Sequence, residues 1–100
     1  MSSHTDLRLD GEVTIYRAQE LKRTLLEALE HSVALRIDLA GVSELDSAGV
    51  QLLIAVKNAA DAERKPLELA NHSAPVLSCF ELYDLAAFFG DASPISATAH

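Results

Sequence analysis

The strongest constraint on the fold of this chain is a change of hydrophobic period within residues 34–60. Apolar and charged side chains alternate over residues 34–39, which predicts a strand with one apolar and one polar face. A short polar turn over residues 41–45 follows. The next residues are apolar almost all the way round and predict a helix over about residues 48–64. A strand that leads through a short turn into a helix indicates a protein of the α/β class.

This pattern places Ser47 at the start of the central helix, directly after Asp46. The first turn of a helix has backbone N–H groups without internal partners and carries the positive end of the peptide dipoles. We therefore expect Asp46 to cap the helix, and a phosphate on Ser47 would meet free N–H donors. Gly49 lacks a side chain and should leave an open surface for another macromolecule. An ordinary N-cap pair without further function is the competing interpretation.

The first half of this helix has more apolar residues than one buried stripe requires. The additional side chains either pack against neighbouring helices or form an exposed apolar patch beside Ser47.

Residues 6–15 also alternate, with Asp10-Gly11 between the two halves of the pattern. Because this dipeptide favours a two-residue turn, we expect two short antiparallel strands joined by a hairpin. Leu9, Val13 and Ile15 should share one face of these strands.

The remaining elements follow from similar patterns. Leucines at helical spacing predict an amphipathic helix over residues 18–30, and alternation returns over residues 67–70. Ser73 should cap a further helix with Pro75 in its first turn. Because the predicted strands have a polar face, the helices should cover only the other side, giving two layers. The apolar side chains expected to pack from the last helix onward are Val76, Leu77, Phe80, Tyr83, Leu85, Phe88 and Phe89.

The length of 100 residues, with 49% hydrophobic and 23% charged residues, is typical of one compact domain. We expect a single domain over residues 1–100, with a core of about residues 6–90 and a tail over residues 91–100. Cys79 cannot form an internal disulfide, because it is the single cysteine, and a buried thiol is expected.

The charge distribution indicates the kind of partner. Fifteen acidic and eight basic residues give a formal net charge of -7, without a basic stripe. Such a field repels nucleic acid and anionic membranes, so a basic protein surface is the more natural partner. The longest apolar run, over residues 52–56, is too short to span a bilayer, and the N-terminus lacks an apolar signal segment. A cytoplasmic protein without membrane insertion is predicted.

The sequence contains no recognisable catalytic motif. The four histidines form no triad pattern with Ser47, and there is no phosphate-binding glycine loop and no cluster with metal-ligand spacing. We therefore expect no catalytic residues, no metal and no cofactor, and we predict that the protein is not an enzyme.

The run D-L-A-G-V-S-E-L-D-S-A-G-V, over residues 38–50, resembles the signature of the STAS domain family. Gly11-Glu12 and the segment 73–76 are further matches, so that the resemblance covers about residues 6–90. The resemblance and the patterns above together lead us to expect a STAS-like, two-layer α/β fold. Its small mixed sheet should have about four to five strands, with helices mainly on one face.

The resemblance also implies a function. In the anti-sigma-factor antagonists of this family, the serine at the position of Ser47 is phosphorylated. The implied function is a phosphorylation-regulated protein–protein interaction module in a bacterial partner-switching or signalling pathway. The implied partners are an anti-sigma serine kinase with a GHKL ATP-binding domain and a phosphatase. The expected partner-binding residues are Gly41, Val42, Ser43, Glu44, Asp46, Ser47, Ala48, Gly49 and Gln51.

Two positions depart from the family pattern. Ala48 stands where many members have a second hydroxyl residue, and Thr14 stands where many have an acidic residue in a loop that faces the kinase. The alternative function is therefore a constitutive docking subunit, without phosphorylation, of a chemotaxis-linked complex or a lipid-transporting ABC system.

Overall fold

The computed structural model describes residues 4–85 and residue 88. Strands and helices alternate along this part of the chain. In order they are β1 (His4–Val13), α1 (Ala18–Glu30), β2 (Ala34–Leu45), α2 (Ser47–Ala62), β3 (Leu67–Ala70) and α3 (Ala74–Tyr83). The strands lie side by side in the order β1-β2-β3, and both neighbouring pairs are parallel. A helix therefore connects each strand to the next, as the α/β prediction requires.

The core lies between one face of the sheet and the helices. Alternate residues of each strand point into it, and the leucines of α1 and the first half of α2 complete it. The opposite face of the sheet is charged: Arg36 lies 3.9 Å from Asp6 and 3.5 Å from Glu68. These positions confirm the two-layer arrangement. The main buried side chains are Leu9, Val13, Leu21, Leu25, Leu29, Leu35, Ile37, Leu39, Leu52, Leu53, Val56, Leu69, Val76 and Phe80.

The N-terminal strand corrects the sequence interpretation. Instead of a hairpin at Asp10-Gly11, a continuous β1 runs through both residues and pairs in parallel with β2. Gly11 has a φ of +78° and lies between two register shifts. At each shift β2 advances one residue more than β1, so the bulges lie in β2, and Gly11 continues the opposite strand instead of forming a turn. Within residues 4–85 and 88, the sheet accordingly has three parallel strands. The mixed sheet of four to five strands that we expected is not found there.

The backbone around Gly11 has a specific support from the start of the following helix. Nη1 of Arg17, the residue before α1, donates to the carbonyl oxygens of Asp10, at 2.8 Å, and Glu12, at 2.7 Å. Asp10-Gly11 favours a positive φ at the glycine, which a two-residue turn would use, but pairing with β2 keeps the glycine within a continuous strand.

Pairing with β1 also extends the next strand. The predicted turn over residues 41–45 is strand in the structure, because Gly41 pairs with Asp10 and Leu45 with Val13. The first helix, in contrast, has the predicted limits, and its leucines are buried. The central helix covers Ser47–Ala62, close to the prediction. Most of its apolar first half packs internally, which decides between the two alternatives left open for it.

The last helix is confirmed only in part. Ser73 occupies the N-cap position but makes no side-chain cap hydrogen bond. Val76, Phe80 and Leu85 are buried as expected, whereas Tyr83 is 51% and Phe88 43% exposed, so the predicted packing of these two rings is wrong. The chain leaves the helix through Asp84, with φ 54°, which directs Leu85 to the core instead. Phe89 and the predicted tail lie outside the described residues.

Candidate functional site

The carboxyl ends of β1 and β2 meet beside the first turn of α2. The backbone N–H of Asp46 donates to the carbonyl oxygen of Val13 at 3.4 Å. Gly49 is buried against the same oxygen, and a Cβ at this position would overlap it and the side chain of Leu45. The absence of a side chain at Gly49 therefore serves close packing. Our interpretation of Gly49 as part of an open surface is wrong.

Asp46 caps the helix as predicted, and it also accepts a hydrogen bond from the loop between β1 and α1. Its Oδ1 accepts a hydrogen bond from the backbone N–H of Gly49 at 2.9 Å, and its Oδ2 accepts one from that of Ile15 at 3.0 Å. The carboxylate thus connects the start of α2 to the loop between β1 and α1. The hydrogen bond from Gly49, and after it that from Ile15, lower the pKa of Asp46.

Ser47 is the first residue of α2, and it is exposed. Its hydroxyl lies outside the core, beside a carboxylate that already accepts the N–H of Gly49. A group attached to Ser47 would enter solvent without displacing any core side chain.

The other predicted partner-binding residues are not all accessible. Ser43, Glu44 and Gln51 are exposed, and Gly41, Asp46 and Ala48 are half-buried. Gly41 lies under the ion pair of Arg8 and Asp10, on the charged face of the sheet. Val42 and Gly49 are buried, so the structure corrects the prediction that these two residues contact a partner directly. Val42 points inward because the register shift in β1 and β2 changes the alternation after Leu39.

Sequence reasoning missed the loop between β1 and α1. Ile15 was expected to share a face with Leu9 and Val13, which are buried, yet it is 68% exposed, and Tyr16 beside it is 89% exposed. The strand ends at Val13, and Thr14 rather than Ile15 is buried. Two adjacent large apolar side chains in solvent are typical of an interaction surface.

Next to this loop, an open groove of about 460 Å³ runs between α1 and α2. We call it the α1–α2 groove. Small side chains on the two helices, at Ala18, Ala48 and Ala55, leave its floor open. They are the signal in the sequence that could have indicated it, although only the pairing of the two helices brings them together. The lining residues are Ile15, Ala18, Gln19, Lys22, Ala48, Gln51, Leu52 and Ala55.

This geometry can be compared with known proteins. A family model described as "Mlab, STAS domain" matches residues 1–90 of the 100-residue chain. The chain belongs to the STAS domain family. No curated protein matches it at a significant level.

Solved structures with the same fold include two anti-sigma factor antagonists. An antagonist from Mycobacterium paratuberculosis is 19% identical, with a TM-score of 0.75 over 99% of this chain and 86% of the other. The Bacillus cell fate determinant SpoIIAA in its phosphorylated form is 20% identical, with a TM-score of 0.68 over 97% of this chain and 89% of the other. The STAS domain of a SulP transporter from Vibrio cholerae is 16% identical, with a TM-score of 0.67 over 88% of this chain and 69% of the other. At these identities, the likeness shows the STAS fold.

Two further groups of residues complete the description of this STAS domain. Cys79 of α3 is half-buried, with its Sγ 4.0 Å from the carbonyl oxygen of Leu45. Burial, and after it the negative charge of Asp46, raise the pKa of this thiol, which favours the inert neutral form. In residues 4–85 and 88, no three His, Cys, Asp or Glu side chains converge as metal ligands would. None of the helices in this part of the chain is long and apolar enough to cross a bilayer.

Proposed function

We propose that this STAS domain is a protein-interaction module whose binding is controlled by phosphorylation of Ser47. The observation that carries the proposal is the exposed hydroxyl at the first residue of α2, beside the exposed loop of Ile15 and Tyr16. A kinase can reach this oxygen without unfolding the domain. A partner that covers the loop would have to accommodate whatever Ser47 carries.

Electrostatics give the modification its effect. A phosphate adds a charge of about -1.5 to -2 and three acceptor oxygens. On Ser47 it would lie close to Asp46 and Glu44, on a chain whose formal net charge is already -7. Because Asp46 already accepts the N–H of Gly49, the first turn of α2 has fewer free donors for the phosphate. The added charge stays largely uncompensated and repels an acidic partner surface, or imposes a desolvation cost on an apolar one.

The proposed partners are a serine kinase of the anti-sigma type, with a GHKL ATP-binding domain, and a phosphatase that removes the phosphate. The proposed location is the cytoplasm of a bacterium, where such partner switching operates. The fold shared with anti-sigma factor antagonists, one of them solved in a phosphorylated form, supports this choice. The module itself is proposed to have no catalytic role.

The test begins with the modification. The full chain is incubated with ATP and a GHKL-type anti-sigma serine kinase of the same organism, and its mass is measured. We expect the addition of one phosphate to the wild type and none to the Ser47→Ala variant. Ser43 is a matched control, since it is also exposed and near the site, and its replacement by Ala should leave phosphorylation unchanged.

Binding is then tested with variants of the same residue. In a pull-down with the kinase, Ser47→Ala should retain the partner, whereas Ser47→Asp should lose it. Circular dichroism should show a native fold for both. Equal retention of the partner by both variants, together with an unmodified wild type, would contradict the proposed switch.

A second candidate function is constitutive docking, and one observation favours it. Thr14 stands at a position where many family members have an acidic residue facing the kinase, but here it is buried, and its hydroxyl lies 3.4 Å from Glu12 Oε1. The STAS domain of the SulP transporter has the same fold, and this chain could likewise be a subunit of a chemotaxis-linked complex or of a lipid-transporting ABC system. A chain that stays unmodified, and binds its partner whether residue 47 is Ala or Asp, would favour this candidate.

A further inference from the structure

The α1–α2 groove and the loop beside it form one surface. Ile15 belongs to both, and its backbone N–H donates to Oδ2 of Asp46 at 3.0 Å. Ala48, the residue after Ser47, lines the same groove. The groove therefore begins at the proposed phosphorylation site and runs along the two helices away from it.

The chemistry of the groove is apolar, with one charged residue. Its floor consists of aliphatic side chains from the loop and both helices, and the amides of Gln19 and Gln51 lie at its sides. Lys22 supplies the single charge among the lining residues. Arg17 and Lys57 lie within 4.0 Å of a carboxylate, whereas Arg23, which is outside the groove, forms no ion pair with a described residue. Among residues 4–85 and 88, no carboxylate lies that close to Lys22.

We propose that the α1–α2 groove binds an amphipathic helix of the partner protein, with aliphatic side chains in the groove and a carboxylate paired with Lys22. A groove between two helices is a recurrent docking site for the apolar face of a third helix. The uncompensated Lys22 selects an acidic residue on that helix by charge complementarity. This inference rests on the proposed function, since it specifies what the surface beside Ser47 binds.

A second copy of this chain fits the groove less well. In a face-to-face dimer, each surface meets its own copy, so a concave groove would meet a concave groove, and the groove lining offers no carboxylate to pair with Lys22. A convex helix that carries a carboxylate fills the groove and compensates the charge.

The location of the groove also explains how Ser47 could control binding. A phosphate on Ser47 would lie next to Ala48, at the end of the groove. An acidic helix bound there would be repelled by this dianion, whereas the neutral hydroxyl would leave it undisturbed.

The test uses designed peptides and the full chain. The probes are N-acetylated, C-amidated helical peptides with one stripe of Leu and Ala. Each peptide has a single Glu at one of the positions that flank this stripe, and all flanking positions are tested in turn. A matched set has Lys in place of Glu. Binding to the isotope-labelled protein is followed by NMR. We expect shifts of the backbone amides that surround the groove, and the best Glu peptide should bind about two- to fivefold more tightly than its Lys counterpart. The Lys22→Glu variant should reverse this preference.

Two variants separate the groove from a general effect. Ala55→Arg fills the groove and should abolish binding, whereas Asn58→Arg introduces the same side chain at an exposed position of α2 outside the groove and should leave binding intact. Equal affinity of the Glu and Lys peptides, or shifts away from the groove, would overturn the proposal. So would self-association of the wild type that Ala55→Arg abolishes, since the occupant would then be a second copy.

The same titration distinguishes this inference from the proposed function. If Ser47→Asp binds the Glu peptide as tightly as Ser47→Ala does, the groove site stands and phosphorylation control of it fails. If neither variant binds the peptide, the groove site fails, and phosphorylation of Ser47 by the kinase remains a separate measurement.

Discussion

At the residue scale, two side chains and one missing side chain set the geometry around Ser47. Asp46 holds the start of α2 to the preceding loop, Gly49 allows the helix to approach the end of β1, and Ile15 presents an apolar surface to solvent. Each of these roles depends on contacts between segments that are distant in sequence. Single substitutions can therefore test them one at a time.

Replacement of Gly49 by Ala should destabilise the domain. The new Cβ would overlap the carbonyl oxygen of Val13, which belongs to backbone and cannot move aside. Overpacking of this kind should lower the free energy of unfolding by about 2 kcal/mol. Chemical denaturation of the variant and the wild type measures this difference. Gly41→Ala is the control, because its new Cβ meets the exposed side chain of Asp10, which can rotate away, so the cost should stay below about 1 kcal/mol. An equal cost at both positions would contradict the close approach.

The cap predicts a specific dependence of stability on pH. The pKa of Asp46 in the folded protein lies below the ordinary value of 3.8, so its carboxylate contributes stability that is present above that pH. This contribution is lost as the pH falls through the lowered folded pKa. Asp46→Asn retains one side-chain oxygen for the N–H of Gly49 but loses both the charge and the acceptor for the N–H of Ile15, at a cost of about 1 kcal/mol near neutral pH.

Chemical denaturation of Asp46→Asn and wild type over a pH series checks this. The difference in the free energy of unfolding should be constant near neutral pH and should shrink as the solution becomes acidic. A difference that is the same at every pH would show that the charge of Asp46 has no part in stability.

At the element scale, the end of β1 depends on its support from the start of α1. Arg17 donates to two backbone carbonyls on either side of Gly11, and these bonds keep β1 aligned with β2 as far as Val13 and Leu45. The pairing of the strand ends in turn places the first turn of α2. The position of Ser47 therefore depends on the backbone around Gly11, more than thirty residues earlier in the chain.

The Arg17→Ala variant tests this support. The loss of two hydrogen bonds from a charged donor at a largely exposed site should lower the free energy of unfolding by about 1 kcal/mol. Arg23→Ala is the matched control, since Arg23 lies on the exposed face of α1 and forms no ion pair within the described part of the chain. Its cost should stay within about 0.5 kcal/mol. Equal losses for the two variants would contradict the proposed role of Arg17.

These elements also show how far sequence patterns reach. The limits of α1 could be predicted because Leu21, Leu25 and Leu29 define one buried stripe without competition. The continuous path of β1 could not, because Asp10-Gly11 favours a positive φ that suits a hairpin turn as well as this strand, and only pairing with β2 decides between them. The α1–α2 groove was missed for a related reason. Its walls come from two helices, and their spacing depends on how both pack on the sheet.

At the scale of the whole molecule, charge and apolar surface are divided between the two layers. The free face of the sheet carries ion pairs such as Arg36 with Glu68, which are exposed and contribute little to stability. The helical side carries the groove, the loop of Ile15 and Tyr16, and Ser47 at their common end. We therefore expect partners to bind on the helical side, and a charge added at Ser47 to change binding while the fold stays intact.

The most direct measurement is the affinity of the partner kinase for the full chain, determined by isothermal titration calorimetry. The chain is measured both unmodified and phosphorylated at Ser47, and the thermal unfolding of both forms is recorded. The account predicts that phosphorylation weakens binding by about tenfold or more, equivalent to about 1.4 kcal/mol, while the melting temperature stays the same within a few degrees. Unchanged affinity, or a loss of affinity that accompanies unfolding of the phosphorylated chain, would contradict it.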